Sequence, residues 1–294
     1  MPEPVFRRLV VVGLGLIGSS VLRRAQMCGT LAAEVVATDS SPAVLARVTA
    51  LGIADRVEAD LATAVAGADA VMLCAPVGAF AGIAAAMGPY LAPGAVVTDT
   101  GSTKQSVLRD LACLPDHVQV VPAHPMAGTE YSGPDAGFAT LFENRYCLLT
   151  PPPGTDPAAV DRVAELWRRC GSMIEVMEPA HHDRVVAIVS HLPHLIAFTI
   201  CGTADDLADE SQQAVIKFAA AGFRDFTRIA ASDPVMWRDV FLNNREALLE
   251  MLARFTEDAS AMARAVRWGD AAYIEQRIER GREIRRSLIE LKQA

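Results

Sequence analysis

The stretch Gly13-Leu14-Gly15-Leu16-Ile17-Gly18 directly follows the apolar run at residues 9–12 and decides the fold. It has the pattern G-x-G-x-x-G, and residues 19–27 after it are suited to a helix. A strand, a glycine turn and a helix in this order open a Rossmann fold, where the turn lets the backbone approach a pyrophosphate. A glycine turn without a nucleotide is the alternative. Five residues of the turn are predicted to contact a dinucleotide: Gly13, Gly15, Leu16, Ile17 and Gly18.

An acidic residue at the end of the second predicted strand, residues 34–38, supports the nucleotide interpretation. Asp39 lies 21 residues beyond Gly18, a spacing at which a carboxylate reaches the 2′-hydroxyl of a ribose. The same carboxylate would repel a 2′-phosphate, and no arginine follows at residues 40–42. We therefore predict NAD, rather than NADP, as the cofactor.

Strand and helix patterns continue to alternate as far as residue 178. The further predicted strands are residues 57–59, 70–74, 95–99, 118–122, 146–150 and 173–177. This alternation favours a parallel sheet whose ligand lies beyond the carboxyl ends of the strands. Ala75, Pro76 and Gly101 follow two of those ends and are predicted to complete the NAD site. Residues 1–178 are therefore predicted to form an α/β Rossmann-type nucleotide-binding domain.

Two polar residues are predicted to lie at the same edge of the sheet. The predicted strand 118–122 leads to His124, and Pro125 fixes the chain direction after it. Histidine is the side chain best suited to accept a proton near neutral pH, although an isolated histidine can simply end a strand. Ser102 lies on a turn between a strand and a helix, where it can bind a ligand, cap the helix, or do both.

The overall composition predicts a compact, soluble, cytoplasmic protein that does not bind nucleic acid. Hydrophobic residues make up 51% and charged residues 21% of the chain, and the net charge of -8 opposes binding to nucleic acid. The six cysteines include no close pair of the kind found in metal or redox motifs. Glycines interrupt the apolar stretch near the N-terminus, so a strand and turn explain it better than a signal peptide.

Two stretches without charge, residues 70–98 and 185–204, raise the question of a membrane. Prolines and glycines divide the first, and the second contains Ser190, His191, Pro193 and His194. A polar content of this kind argues against a membrane-spanning helix. His191 and His194 are three residues apart, but no acidic or cysteine partner lies at ligand spacing, so no metal site is predicted.

Strand patterns stop after residue 178, and residues 179–294 are predicted to form an all-α domain. Apolar residues recur along its last helices, at Leu242, Leu248, Leu249, Leu252 and Phe255. This stripe is wide enough to pack against other helices. It could form the core of a monomer, but so few helices can hardly bury the apolar residues 185–201. We therefore predict a dimerisation domain and a homodimer.

Two motifs resemble the prephenate/arogenate (cyclohexadienyl) dehydrogenase family of tyrosine biosynthesis. They are Asp99-x-Gly101-Ser102-x-Lys104 and His124-Pro125-Met126-Ala127-Gly128-Thr129-Glu130. The resemblance implies that His124 is the catalytic histidine. It also implies that Ser102 contacts both this histidine and the ring hydroxyl of the substrate.

Further residues are assigned to the substrate pocket by the same resemblance. Ser190 and His194 would line the pocket, and Arg228 would bind a substrate carboxylate. Asp225 would enter the site from the neighbouring subunit, and Trp237 would line the pocket. Two residues after the catalytic histidine would add contacts, namely Thr129 and Glu130.

The implied reaction is the NAD-dependent oxidative decarboxylation of prephenate, arogenate or both. The side chain of prephenate carries a keto group, whereas that of arogenate carries an ammonium group in its place. The sequence does not identify the residues that distinguish the two. A β-hydroxyacid dehydrogenase is one alternative, but no matching motif surrounds Lys217, where that class needs a catalytic lysine. An NAD-binding sensor without turnover is the other alternative.

Overall fold

A six-stranded parallel sheet forms the framework of the first half of the chain. Its strands are β1 (Phe6–Val12), β2 (Ala32–Thr38), β3 (Arg56–Val57), β4 (Ala70–Leu73), β5 (Val96–Asp99) and β6 (Gln119–Val120). Their order is β3-β2-β1-β4-β5-β6, and every neighbouring pair is parallel. The order reverses between β1 and β4, where sheets of this type bind their ligands. The computed structural model describes residues 3–207 and 217–290.

Six helices connect these strands or follow them. They are α1 (Leu16–Cys28), α2 (Pro42–Leu51), α3 (Leu61–Val65), α4 (Phe80–Met87), α5 (Gln105–Leu111) and α6 (Pro157–Arg169). Local sequence explains several ends: the Ser41 hydroxyl accepts a hydrogen bond from Val44 N, and Gly52 ends α2 in the left-handed conformation. Two separate clusters of buried apolar side chains cover the two faces of the sheet. The predicted α/β fold class is confirmed.

A second, three-stranded sheet carries His124. It consists of β7 (Ala123–Pro125), β8 (Tyr146–Leu149) and β9 (Met173–Val176), with β7 antiparallel to β8 and β8 parallel to β9. The predicted strand 118–122 is therefore divided. Val121 N still donates to Val97 O of the large sheet, whereas the Pro122 carbonyl already accepts from Thr150 N. The chain changes sheets at Pro122, and His124 lies inside a strand.

The C-terminal half is helical, as predicted. Within residues 179–207 and 217–290, its helices are α7 (Pro179–Val186), α8 (Leu192–Asp205), α9 (Ala221–Thr227), α10 (Pro234–Asn243), α11 (Arg245–Trp268) and α12 (Ala271–Glu290). A π-helical segment, Ala187–His191, joins α7 to α8. The stretch Pro179–Asp205 is long and apolar enough to cross a membrane by length and composition, a test that core helices of soluble proteins also pass. Asn244, with φ -114° and ψ 34°, divides α10 from α11.

The chain packs as two compact units, Met1–Arg245 and Glu246–Ala294. The predicted boundary between residues 178 and 179 falls inside the first unit, between β9 and α7. The second unit is a helical hairpin of α11 and α12, and Arg277 and Asp258 form an ion pair of 3.0 Å between its two helices. All residues predicted for the active site lie in the first unit.

Candidate active site

The glycine turn depends on the absence of side chains at two of its positions. Gly13 has φ +93°, and a Cβ atom there would lie 2.5 Å from Ala75 N at the end of β4. A Cβ atom at Gly18 would overlap the Gly13 carbonyl oxygen. At Gly15, by contrast, a Cβ atom would meet no atom within 4 Å. The turn therefore closes on itself at Gly13 and Gly18 and leaves space beside Gly15, at the N-terminus of α1, where a pyrophosphate fits.

Asp39 stabilises this turn through its carboxylate. One oxygen accepts from Leu14 N at 2.8 Å, and the other accepts from Ser41 N at 2.9 Å. The side chain is half-buried at the end of β2. Two hydrogen bonds leave lone pairs on both oxygens, so the carboxylate can still accept from a ribose hydroxyl. The sequence predicts only the contact with the ribose hydroxyl. The hydrogen bonds from Leu14 N and Ser41 N were not predicted, because they depend on how closely the glycine turn approaches the end of β2 in the folded chain.

The other residues predicted for the NAD site lie along the adjoining strand ends. Pro76 precedes the single turn Val77–Ala79, and Ala75 is the backbone against which Gly13 packs. Gly101 N donates to Asp99 Oδ2 at 2.7 Å, and a Cβ atom at Gly101 would lie 2.5 Å from Val77 Cγ1. These contacts bring the loops after β4 and β5 together.

A fully buried ion pair joins the strand that precedes Ser102 to the strand that carries His124. Lys104 Nζ donates to Asp99 Oδ2 at 2.5 Å and to the Ala123 carbonyl at 2.6 Å. Asp99 Oδ1 accepts from Ala123 N at 3.1 Å. Burial raises the pKa of Asp99 and lowers that of Lys104, and the attraction between the two charges opposes both shifts. The pair fixes the position of β7 relative to the turn that holds Ser102.

His124 is hydrogen-bonded to a second buried histidine. Its Nδ1 lies 2.8 Å from Nε2 of His182, and Nδ1 of His182 lies 2.8 Å from Oδ1 of Asp183. The Asp183 carboxylate also accepts from Lys104 N at 2.8 Å and Gln105 N at 3.0 Å, at the start of α5. His124, His182 and Asp183 thus form one chain of hydrogen bonds, which we call the histidine relay.

The donors and acceptors of the relay follow from Asp183. Burial raises the pKa of this carboxyl, but the hydrogen bonds from His182, Gln105 N and Lys104 N outweigh burial and hold it below its usual value. An ionised carboxylate only accepts, so Nδ1 of His182 carries a proton and Nε2 of a neutral His182 accepts from Nδ1 of His124. Nε2 of His124 is therefore unprotonated.

The electrostatic surroundings keep His124 neutral. Burial lowers its pKa well below 6.5, and His182, Lys104 and His191 lower it further. Burial also lowers the pKa of His182, an effect that Asp183 opposes. His124 is 7% exposed, so its free nitrogen is shielded from most of the solvent. A neutral imidazole with one free nitrogen is suited to accept a proton from a bound substrate.

Ser102 is half-buried and lies near the histidine relay, but its hydroxyl forms no hydrogen bond with it. Among the described residues, no side chain forms a hydrogen bond with its hydroxyl. The alternative role of Ser102 as a helix cap is not realised, because Asp183 accepts from the backbone N–H groups at the start of α5. The hydroxyl is thus available to a ligand.

The π-helical segment orients the motif Ser190-His191-Leu192-Pro193-His194. Pro193 has no backbone N–H, and a helix with wider turns accommodates this loss. His191 is fully buried, whereas Ser190 and His194 are half-buried. The His194 ring stacks on Trp237 with 3.6 Å between ring centroids, so these two predicted pocket residues are in contact. Burial lowers the pKa of His194.

The remaining predicted substrate residues lie nearer the surface. The side chain of Arg228 is 59% exposed, and its Nη1 lies 3.3 Å from Oε2 of Glu130. Thr129 is exposed, with its hydroxyl 3.3 Å from Tyr131 N. Asp225 is exposed on α9, and no ion pair with another described residue involves it. The apolar neighbours of Arg228 predict a carboxylate partner, and within the chain that partner is Glu130.

Sequence reasoning missed three residues of this region, namely His182, Asp183 and Asn244. The only signal for the first two is a His-Asp pair at the start of an otherwise apolar helix. Nothing in the sequence indicates that Asn244 reaches them. Among the described residues, no group of three or more histidine, cysteine or acidic side chains could hold a metal ion.

Comparison with known proteins identifies the family. The family model for the prephenate dehydrogenase nucleotide-binding domain matches residues 24–176. The model for the prephenate dehydrogenase dimerization domain matches residues 178–280. A cyclohexadienyl dehydrogenase of Zymomonas mobilis is 40% identical over 286 residues, which cover 97% of this chain and 97% of that protein.

Solved structures agree. The crystal structure of prephenate dehydrogenase from A. aeolicus in complex with hydroxyphenyl propionate and NAD+ has a TM-score of 0.85 at 32% identity. The match covers 96% of this chain and 98% of that chain. The crystal structure of Synechocystis arogenate dehydrogenase has a TM-score of 0.79 at 24% identity, with 95% of this chain and 99% of that chain covered. This second similarity concerns the fold.

The fold and the site define an NAD-dependent oxidoreductase with a Rossmann domain and a helical C-terminal domain. The chain belongs to the prephenate dehydrogenase family. The predictions of this family, of NAD as cofactor and of a prephenate/arogenate dehydrogenase activity are confirmed. The predicted roles of individual residues stay predictions.

Proposed function

We propose that this enzyme converts prephenate to 4-hydroxyphenylpyruvate, arogenate to tyrosine, or both, with release of CO2 and NADH. The observation that carries the assignment of the base is the histidine relay. It holds His124 neutral, buried, and with Nε2 free. A β-hydroxyacid dehydrogenase would need a lysine base, and the buried lysine nearest to His124, Lys104, is already bound to Asp99.

The reaction requires a base at the ring hydroxyl. His124 Nε2 would accept the proton of the C4 hydroxyl, and Ser102 would orient that hydroxyl. Bound NAD supplies the hydride acceptor for the hydrogen that leaves C4. Breaking the bond between C1 and its carboxylate then releases CO2, and the electron pair of that bond makes the ring aromatic as a phenolate. The protonated His124 would return its proton to this oxygen, which gives the phenol of the product. His182 would stabilise the protonated His124, because Nε2 of His182 can accept the proton on Nδ1 while Asp183 holds the resulting positive charge.

The residues present fit NAD. Gly15 leaves space at the N-terminus of a 13-residue helix, and Asp39 retains lone pairs for a ribose hydroxyl. Gly13, Leu16, Ile17 and Gly18 would form the rest of the pyrophosphate turn. Ala75, Pro76 and Gly101 would line the part of the cofactor that approaches Ser102.

Substrate would be held between His124 and Arg228. The guanidinium of Arg228 would bind a substrate carboxylate in competition with Glu130, whose ion pair with it is exposed and therefore weak. Ser190, His194, Thr129 and Trp237 would complete the pocket. Asp225 would contribute from the partner subunit of a homodimer.

A homodimer is supported by exposed apolar side chains on the helices after residue 178. Ile188 and Val189 are 49% and 58% exposed, next to the pocket residue Ser190. On α11, Leu249 and Phe255 are 55% and 42% exposed. Patches of this kind mark interaction surfaces. Sedimentation equilibrium should give twice the 31.4 kDa mass of the chain, and a mass of one chain would contradict the dimer.

We further propose that the enzyme is soluble and cytoplasmic, without affinity for membranes or nucleic acid. The apolar stretch Pro179–Asp205 contains the buried polar residues His182, Asp183 and His191, which belong to the active-site network. The enzyme should therefore stay in the supernatant after ultracentrifugation of a lysate without detergent, and sedimentation with the membranes would contradict this.

The reaction is tested by NADH formation with prephenate and with arogenate, side by side at matched concentrations. Turnover of either substrate supports the proposal, and the ratio of the two kcat/KM values shows whether the enzyme is specific or dual. If NAD binds and neither substrate turns over, the proposal is wrong. The sensor without turnover or the β-hydroxyacid class would then take its place.

A further inference from the structure

Asn244 connects the histidine relay to His191, a further buried histidine. It is 4% exposed, and its Nδ2 donates to the Asp183 carbonyl at 2.9 Å and lies 3.0 Å from Nδ1 of His191. A carbonyl oxygen can only accept, so this contact fixes which end of the amide is the nitrogen. The second hydrogen of Nδ2 is therefore directed to His191.

This contact determines where the proton of His191 lies. Nδ1 of His191 accepts from Asn244, so the single proton of the neutral ring is on Nε2. Burial lowers the pKa of His191 to about 4, which keeps the ring neutral near pH 7. Among the described residues, no group forms a hydrogen bond with Nε2, although the atom is buried.

The surroundings of His191 place this nitrogen beside the reacting groups. The Ser102 backbone carbonyl accepts from the ring in a contact that falls short of regular hydrogen-bond geometry and raises the pKa of His191, and the Trp237 ring lies 6.0 Å away in an edge-to-face arrangement. His191 also contributes to the electrostatic field on His124. A buried N–H group without a partner reduces stability, and such groups in native proteins usually bind a ligand or ordered water.

We propose that Asn244 is a positioning residue that holds His191 in the Nε2–H form, and that this N–H donates a hydrogen bond to an uncharged oxygen of a bound reactant. The oxygen is either the carboxamide oxygen of the nicotinamide or the C4 hydroxyl oxygen of the substrate. A carboxylate of the substrate has Arg228 as its proposed charged partner, and a neutral donor suits an uncharged acceptor. The identity of the reactants rests on the proposed function, whereas the position of the proton does not.

The position of the proton is measured by ¹⁵N NMR of the cofactor-free protein labelled at histidine. The His191 signals, assigned by their loss in His191→Gln, should show a protonated Nε2 and an unprotonated Nδ1. Asn244→Asp replaces the donor by a carboxylate, so Nδ1 of His191 should become protonated. An unprotonated Nε2 in the wild type, or an unchanged pattern in Asn244→Asp, would overturn the proposal.

The role of the donor is tested by two substitutions of His191 itself. In His191→Gln the side-chain amide reaches the position of Nε2, whereas in His191→Asn it reaches only that of Nδ1. We expect His191→Gln to keep kcat/KM within about threefold of the wild type and His191→Asn to lose about 10–100-fold. Equal losses, or no loss in either variant, would overturn the donor role.

Binding measurements identify the oxygen that accepts. A weaker Kd for NAD in His191→Asn, read from tryptophan fluorescence, would assign the carboxamide oxygen, and an increased KM for prephenate or arogenate with an unchanged Kd for NAD would assign the hydroxyl. An unchanged Kd together with an unchanged KM and kcat would contradict both. Failure of the proposed function itself is distinguishable, because neither substrate would then turn over in the wild type while the NMR result would still stand.

Discussion

The cofactor turn and the histidine relay lie at the same edge of the first unit and are built in different ways. The turn at residues 13–18 is formed by main chain, within one strand, one turn and one helix, and it depends on absent side chains. The relay is formed by side chains from β7 and α7, which are 58 residues apart at their His124–His182 contact, and it depends on buried polar groups. Local backbone geometry thus suits the turn to bind a cofactor, whereas hydrogen bonds between residues distant in sequence suit His124 to act as a base.

The largest expected effect falls on the relay. His124→Asn should lower kcat at least about a hundredfold, because general-base catalysis contributes roughly 10²–10⁴ in rate. The asparagine amide can still donate to His182, so the variant should fold and bind NAD. His117→Asn is the matched control, since His117 contacts the Leu91 carbonyl and lies outside the relay. A near-normal kcat in His124→Asn would remove this residue from the chemistry.

The next effect concerns the buried ion pair between Lys104 and Asp99. Lys104→Met leaves the Asp99 carboxylate buried without its partner, which should lower the free energy of unfolding by about 3–5 kcal/mol in urea denaturation. Arg109→Met breaks an exposed ion pair with Asp110 and should change stability by less than about 1 kcal/mol. Equal effects of the two substitutions would show that the buried pair does not hold β7.

A smaller effect separates two glycines of the cofactor turn. Gly18→Ala should lower stability by about 1–3 kcal/mol, because the added methyl group overlaps the Gly13 carbonyl. Gly15→Ala meets no atom and should leave the melting temperature unchanged, while the methyl group enters the space assigned to the pyrophosphate and weakens NAD binding. Normal NAD affinity in Gly15→Ala would show that the pyrophosphate binds elsewhere.

The smallest expected effect is on the choice of cofactor. Asp39→Ala should reduce the preference for NAD over NADP by about tenfold. The substitution removes the negative charge that repels a 2′-phosphate, and it also removes the acceptor for the ribose hydroxyl of NAD. Asp39→Asn is the control for structure, since an amide oxygen still accepts from Leu14 N or Ser41 N. If the ratio of the two kcat/KM values is unchanged in both variants, Asp39 is not the ribose ligand.

Sequence reasoning was strongest where the chemistry is local. The glycine spacing predicts the β1–α1 turn, whereas the contact of Asp39 with Leu14 N was not predicted and its role as ribose ligand stays a prediction. The alternation of strands and helices also predicts the fold class. The sequence did not predict the second sheet. The chain leaves the first sheet at Pro122 because the Pro122 carbonyl accepts from Thr150 N, a contact between distant segments. Pairing between distant strands leaves no spacing signal in the chain.

In the catalytic region, the sequence indicates the residues that lie in a recognisable motif. It does not indicate the residues that form hydrogen bonds with them or with the neighbouring His191. His124 was found because a histidine follows an apolar run. His182 and Asp183 become important only because α7 packs beside β7 and α5, and this packing is a property of the tertiary structure. Asn244 was missed for the same reason, since its two partners are 61 and 53 residues away in the chain.

In the proposed mechanism, His124 acts as a neutral base that its buried setting keeps unprotonated. The most direct test is the pH dependence of kcat/KM in the wild type and in His124→Asn. Burial lowers the pKa of His124, so the wild-type rate should fall on acidification only below pH 6.5. The fall should be absent from the residual activity of His124→Asn. A midpoint above pH 6.5 in the wild type, or the same acidic fall in both proteins, would contradict the claim.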